Sequence, residues 1–112
     1  MILSLSCKAQ QIQEKKLIIG TWIPDGSPDS HSVFTLDGSL KKYSNNQLFK
    51  TYNWSISEDK SVDGALTHSF LKLIDVNSIN TIYEYEINGL SDTKMLLVTT
   101  QPKISYLYFT KQ

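Results

Sequence analysis

Few side chains in this chain are of a type and spacing that could do chemistry. His31 and His68 are its two histidines. Either could act as a base or a metal ligand, but no third ligand stands at a spacing that suggests zinc. Each reads as a strand-face or surface residue. Asp25 and Asp29 lie with serines in PDGSPDS and could offer oxygens to calcium. The stretch lacks the acid-rich spacing and terminal glutamate of a dedicated calcium loop, so it reads as a turn. Glu84 and Glu86 are two apart and share one strand face, as a catalytic carboxylate pair would. That face is opposite Tyr83 and Tyr85, which aims the two acids at solvent. No nucleophile, base and charge stabiliser fall together. The expectation is a protein that is not an enzyme, with no catalytic residue, no metal and no cofactor.

Charge narrows the partners. All 11 basic residues are lysines, and 11 acids balance them to a net charge of zero. With no arginine, the planar fork that grips phosphates is missing. With no basic surplus, nucleic acid is not an expected partner. The length, 112 residues, suits one small domain with a modest core.

The opening MILSLSCKAQ is apolar and turns polar at Lys8, like the remnant of an export or lipoprotein signal. Residues 1–10 are therefore set apart from a domain at residues 11–112. Cys7 is a candidate lipidation site. The alternative is a cut after Ala9 that leaves Gln10 first. Either route implies an extracytoplasmic location: periplasmic, anchored to the outer membrane or secreted. The only expected membrane contact is a lipid anchor at Cys7. The oligomeric state is left open.

The elements that must position these residues are almost all strands. After a polar lead-in turn at residues 10–16, apolar alternation and turn signals predict strands at 17–23, 31–36, 39–44, 47–57, 65–76, 78–88, 94–100 and 104–111. Asp37-Gly38 is a strong hairpin signal, and Asn45-Asn46 ends the third strand. Connections this short exclude crossover helices, so the pairing must be antiparallel. Closure into an eight-stranded up-and-down barrel would remove the exposed edges; a two-layer sandwich is the alternative.

Gly20-Thr21-Trp22, entering the first of eight meandering strands, resembles the first signature of the lipocalin family. VFTLDGSL at residues 33–40 and YEINGLSDTKMLLVTT at residues 85–100 are similar to hairpins of small bacterial lipocalin-like domains. The resemblance covers residues 14–112. It implies an all-β, lipocalin-like (calycin) barrel in which Gly20 permits close approach at the closed end. There Trp22 plugs the barrel, and a cation from the last strand, here Lys111, covers the indole. The family's second signature has no counterpart, because Thr81-Ile82-Tyr83 lacks the acid, and its third needs an arginine.

Seven aromatics, Trp22, Phe34, Tyr52, Trp54, Phe70, Tyr83 and Tyr85, are expected inside. They could line a pocket for a small hydrophobic ligand or fill a solid core. The functional expectation is accordingly a non-enzymatic lipocalin-like protein of the bacterial cell envelope that binds a small apolar molecule within the barrel. The alternative is a solid-core accessory or interaction module that works through loops such as residues 24–30.

Overall fold

The computed structural model describes residues 13–60, 67–99 and 103–112. The signal expected at residues 1–10 and the candidate lipidation of Cys7 lie outside the described residues, and of His68 only the backbone is described. Eight strands follow one another: β1 (Gly20–Pro24), β2 (Ser30–Phe34), β3 (Ser39–Ser44), β4 (Gln47–Lys60), β5 (Thr67–Asp75), β6 (Ser78–Leu90), β7 (Lys94–Thr99) and β8 (Ser105–Lys111). Each pairs antiparallel with the next. β8 returns to β1, with Trp22 opposite Lys111 and Pro24 opposite Phe109, and so closes the barrel. The expected up-and-down barrel is the observed one, and the sandwich is excluded.

Local chemistry explains the tight turns. Gly38 takes φ 94° and donates its N–H to the Thr35 carbonyl at 3.1 Å. The Asp37 carboxylate accepts from the Thr35 hydroxyl and from the Ser39 N–H. Those bonds, the Thr35 one foremost, hold its pKa below the usual carboxylate range. Asn45 and Asn46 both adopt positive φ, at 52° and 65°, as a two-residue hairpin between twisted strands demands.

Most strand ends shift by one to three residues from the sequence expectation, and the start of the first strand changes element altogether. Residues 13–18 form a short helix, so Leu17 and Ile18 finish that helix and the first strand begins only at Gly20. The β-branched run Ile18-Ile19 favours a strand by propensity. Burial decides otherwise: Ile18 is fully buried in the same core cluster as Trp22.

Register fixes which side chains face inward. Trp22 lies opposite Ser32, Phe34 opposite Leu40, and Leu40 opposite Tyr52. Trp54 lies opposite Leu73, Ile56 opposite Leu71, and Leu71 opposite Tyr85. Ile87 opposite Leu97 and Leu97 opposite Leu107 complete the ring. Each fully buried Leu, Ile or Phe of this layer contributes about 1.5–3 kcal/mol of apolar transfer energy. The same register corrects the expected inward position of Phe70. It pairs with Ser57 and Glu86 on the outer face, while Leu71 and Leu73 point in. In an unbroken apolar run from Phe70 to Ile74, the period that tells inside from outside is hidden.

The up-and-down order gives the barrel two unlike ends. The helix and the β2–β3 and β6–β7 turns gather at one end, called closed. The β1–β2, β3–β4 and β5–β6 connections gather at the other, called open.

Candidate functional site

At the closed end every fully buried side-chain nitrogen or oxygen among the described residues has a partner. The indole N–H of Trp22, fully buried, donates to the Ile18 carbonyl at 2.8 Å. Lys111 Nζ sits 5.3 Å above the Trp22 ring and donates to the Leu17 carbonyl at 2.8 Å. That carbonyl belongs to the last turn of the helix, which has no intrahelical donor left for it and favours a cation. Gly20, at φ 134°, makes room for this arrangement: a Cβ there would come within 2.6 Å of Lys111 Cε. Glu14 on the helix accepts from the Ser69 hydroxyl at 2.7 Å, also buried. The three residues expected to seal this end, Gly20, Trp22 and Lys111, therefore meet there.

The seven aromatics separate into three groups. Trp22, Phe34 and Trp54 belong to the closed half. Phe34 and Trp54 meet edge to face at 5.8 Å, and the Trp54 indole N–H braces the β2–β3 turn by donating to the Thr35 carbonyl at 3.1 Å. Tyr52, Tyr83 and Tyr85 belong to the open half, with Tyr52 and Tyr83 edge to face at 6.0 Å. Phe70 is outside.

Three inward charges lie close together at the open end. Lys42 and Lys50 lie directly opposite each other on β3 and β4, a cross-strand pairing of like charges that is unfavourable in itself. One acid answers them. Asp75 Oδ2 lies 2.7 Å from Lys50 Nζ, and Asp75 Oδ1 accepts from the Asn77 N–H at 2.8 Å. The Lys50 hydrogen bond, followed by that of Asn77, holds the Asp75 pKa below its usual range, and the same bond raises that of Lys50. Lys42 has no such partner. Its Nζ lies 5.4 Å from the centre of the Tyr52 ring, and burial pushes its pKa down. Burial likewise raises Tyr52 and Tyr85.

A bulge at Lys42–Tyr43 shapes the wall beside that lysine. Lys42 pairs with Lys50 and Tyr43 with Leu48, so Phe49 is left over and projects outward, 61% exposed. Bulges of this kind re-aim side chains. Across the seam, β1 ends opposite Phe109, and the Asp25 N–H adds a single bond to the Tyr108 carbonyl. Residues 105–107 of β8 run on past the end of β1, so the wall is notched there. The notch opens a groove of about 470 Å³ at the mouth, lined by Ser30, Lys42, Phe49, Tyr106 and Phe109 among others.

Comparison of the chain with models of protein families, with characterised proteins and with solved structures finds no match. The site must therefore be judged on its own geometry. Inside the barrel a cavity of only about 40 Å³ remains, bounded by residues such as Leu71, Leu73, Tyr85 and Met95. That holds a few water molecules at most. The mouth groove and this cavity share Ser32, Lys42, Leu107 and Phe109 as lining.

The remaining candidates do not converge. His31 stacks on Tyr43 at 4.6 Å on the outer face, at the rim of the mouth. The Asp25 carboxylate accepts from the Thr110 hydroxyl at 2.9 Å, and the Asp29 carbonyl accepts from the Asn45 N–H. Glu84 and Glu86 lie on the outer face opposite Lys72 and Phe70. Among the described residues no three of His, Cys, Asp and Glu gather around a point that could hold a metal ion.

An inventory of aromatics overlooks Lys42, Lys50, Asp75 and Phe49. Part of the signal is present in SLKKYS: strand alternation puts Lys42 on the face of Leu40, and a lysine on an apolar face is uncommon enough to mark. The bulge that exposes Phe49 leaves no comparable trace in the sequence.

Proposed function

We propose that this chain is a non-enzymatic, lipocalin-like barrel, delivered outside the cytoplasm, that holds one small and largely apolar molecule at its open end. The mouth groove carries this reading, together with the four residues, Ser32, Lys42, Leu107 and Phe109, that line both it and the inner cavity. The deep interior is too full for a ligand, whereas a groove of about 470 Å³ lies in the usual ~300–1,000 Å³ range of ligand sites. Apolar side chains surround the entrance. Leu48, Phe49, Ile79, Ile104, Tyr106 and Tyr108 are all more than half exposed at the open end. The lipocalin-like assignment rests on Gly20, Trp22 and Lys111 meeting in an up-and-down barrel of eight strands. The location rests on the character of residues 1–10, and a lipid mass on Cys7 in the exported protein would distinguish anchoring from cleavage.

Native mass spectrometry of the exported chain, set against its denatured mass, tests the binding role. The expected result is a mass excess that disappears on denaturation. Bare mass in both states, together with no heat of binding for decanol or decanoate, would remove the reading. A second reading, an interaction module acting through residues 24–30, is favoured by the same exposed apolar tips. It requires a stable protein partner that is lost when that loop is replaced.

A further inference from the structure

Two inward lysines of this barrel lie over aromatic rings at nearly the same distance, 5.3 Å for Lys111 on Trp22 and 5.4 Å for Lys42 on Tyr52. Their remaining partners differ. Lys111 donates to a backbone carbonyl. Lys42 is offered neither a carboxylate nor a hydrogen-bond acceptor by the described residues, since the nearest inward acid, Asp75, is bound to Lys50. Nor is the Lys42 ammonium sealed away, because every fully buried side-chain nitrogen or oxygen among the described residues has a partner. Lys42 lines both the mouth groove and the inner cavity.

Among the described residues the inner face of the open end thus holds two lysines and one aspartate, an excess of a single positive charge. A half-buried cation facing a partly dry pocket attracts an anion far more strongly than a surface lysine does. One ammonium and no guanidinium suit a point contact with a monoanion better than bidentate capture of a phosphate. Ser32, which lines both spaces, and Tyr85, which lines the inner cavity, carry hydroxyls that can donate to a second oxygen. Phe49, Leu107 and Phe109 supply apolar wall toward the mouth.

We infer that the molecule held at the open end carries a single carboxylate that pairs with Lys42, its apolar part lying toward Phe49, Leu107 and Phe109. The inference rests on the mouth being a binding site, and the test separates the two claims. Decanoate, decanol and methyl decanoate are titrated by calorimetry into the full chain and into Lys42→Met, with Lys42→Gln as a second variant should the first fail to fold. Decanoate is expected to bind roughly ten-fold or more tighter than either neutral compound, as one charge-assisted contact provides. The variants should erase that preference, bringing decanoate to the affinity each variant shows for decanol. Equal affinity of the wild-type chain for decanoate and decanol would overturn the carboxylate assignment while leaving the mouth as a binding site. A preference that survives in the variants would overturn the role of Lys42. Binding of none of the three would remove the site and the inference together.

Discussion

The two ends of this barrel use the same residue types to opposite effect. At the closed end a lysine, a tryptophan and a glycine interlock with a helix terminus. Lys111 bonds to Leu17, Trp22 bonds to Ile18, and Gly20 leaves the space in which the lysine lies. At the open end a lysine again crosses an aromatic ring, but the strand beside it is bulged, the wall beyond β1 is notched, and the lysine lines the groove that opens there. Exposed apolar side chains follow the same division. Leu36 projects from the closed end, whereas Leu48, Phe49, Val76, Ile79, Ile104 and others surround the open one. A cation bonded to a helix-end carbonyl stabilises a fold; a half-buried cation left short of partners costs stability and remains available to a ligand.

That contrast can be broken most severely at Trp22. Trp22→Ala should lower stability by about 3–5 kcal/mol, as removing a fully buried tryptophan does. A denaturant titration showing less than about 1 kcal/mol would mean that the closed end is not a packed seal. Gly20→Ala comes next, at about 2–3 kcal/mol, combining a strained positive φ with displacement of the Lys111 stem. The double variant with Lys111→Ala sharpens the point. The steric share should vanish there, leaving the two changes clearly less than additive; strict additivity would show that glycine and lysine do not share that space. The smallest effect is expected on the outer wall, where Glu84→Gln should change stability by less than about 0.5 kcal/mol. A large loss would mean that the faces of β6 are inverted.

The sequence made the barrel legible because its signals are local. Asp37-Gly38 and Asn45-Asn46 mark hairpins by their own backbone preferences, and the alternation of Tyr83, Tyr85 and Ile87 with Glu84 and Glu86 sets a face without reference to anything distant. Gly20, Trp22 and Lys111 were legible through their resemblance to a known seal. Non-local effects were not. Ile18 ends a helix because a buried site exists beneath it, against its own β preference. Phe70 lies outside because Leu71 and Leu73 pair with Tyr85 and Tyr83, a choice made by register across β5 and β6. Lys42 matters because Lys50 has already taken Asp75, a competition that exists only once β3, β4 and β5 lie side by side.

The most direct test of the division between the two ends is to replace each lysine by methionine and compare thermal unfolding in the absence of ligand. Lys111→Met should lower stability by about 1–2 kcal/mol, since it removes a cation–π contact and strands the Leu17 carbonyl. Lys42→Met should leave stability unchanged or raise it by up to about 1 kcal/mol, because it relieves a poorly solvated charge that faces another lysine. Equal losses from the two substitutions would contradict the account, because Lys42 would then contribute as much to the folded chain as Lys111.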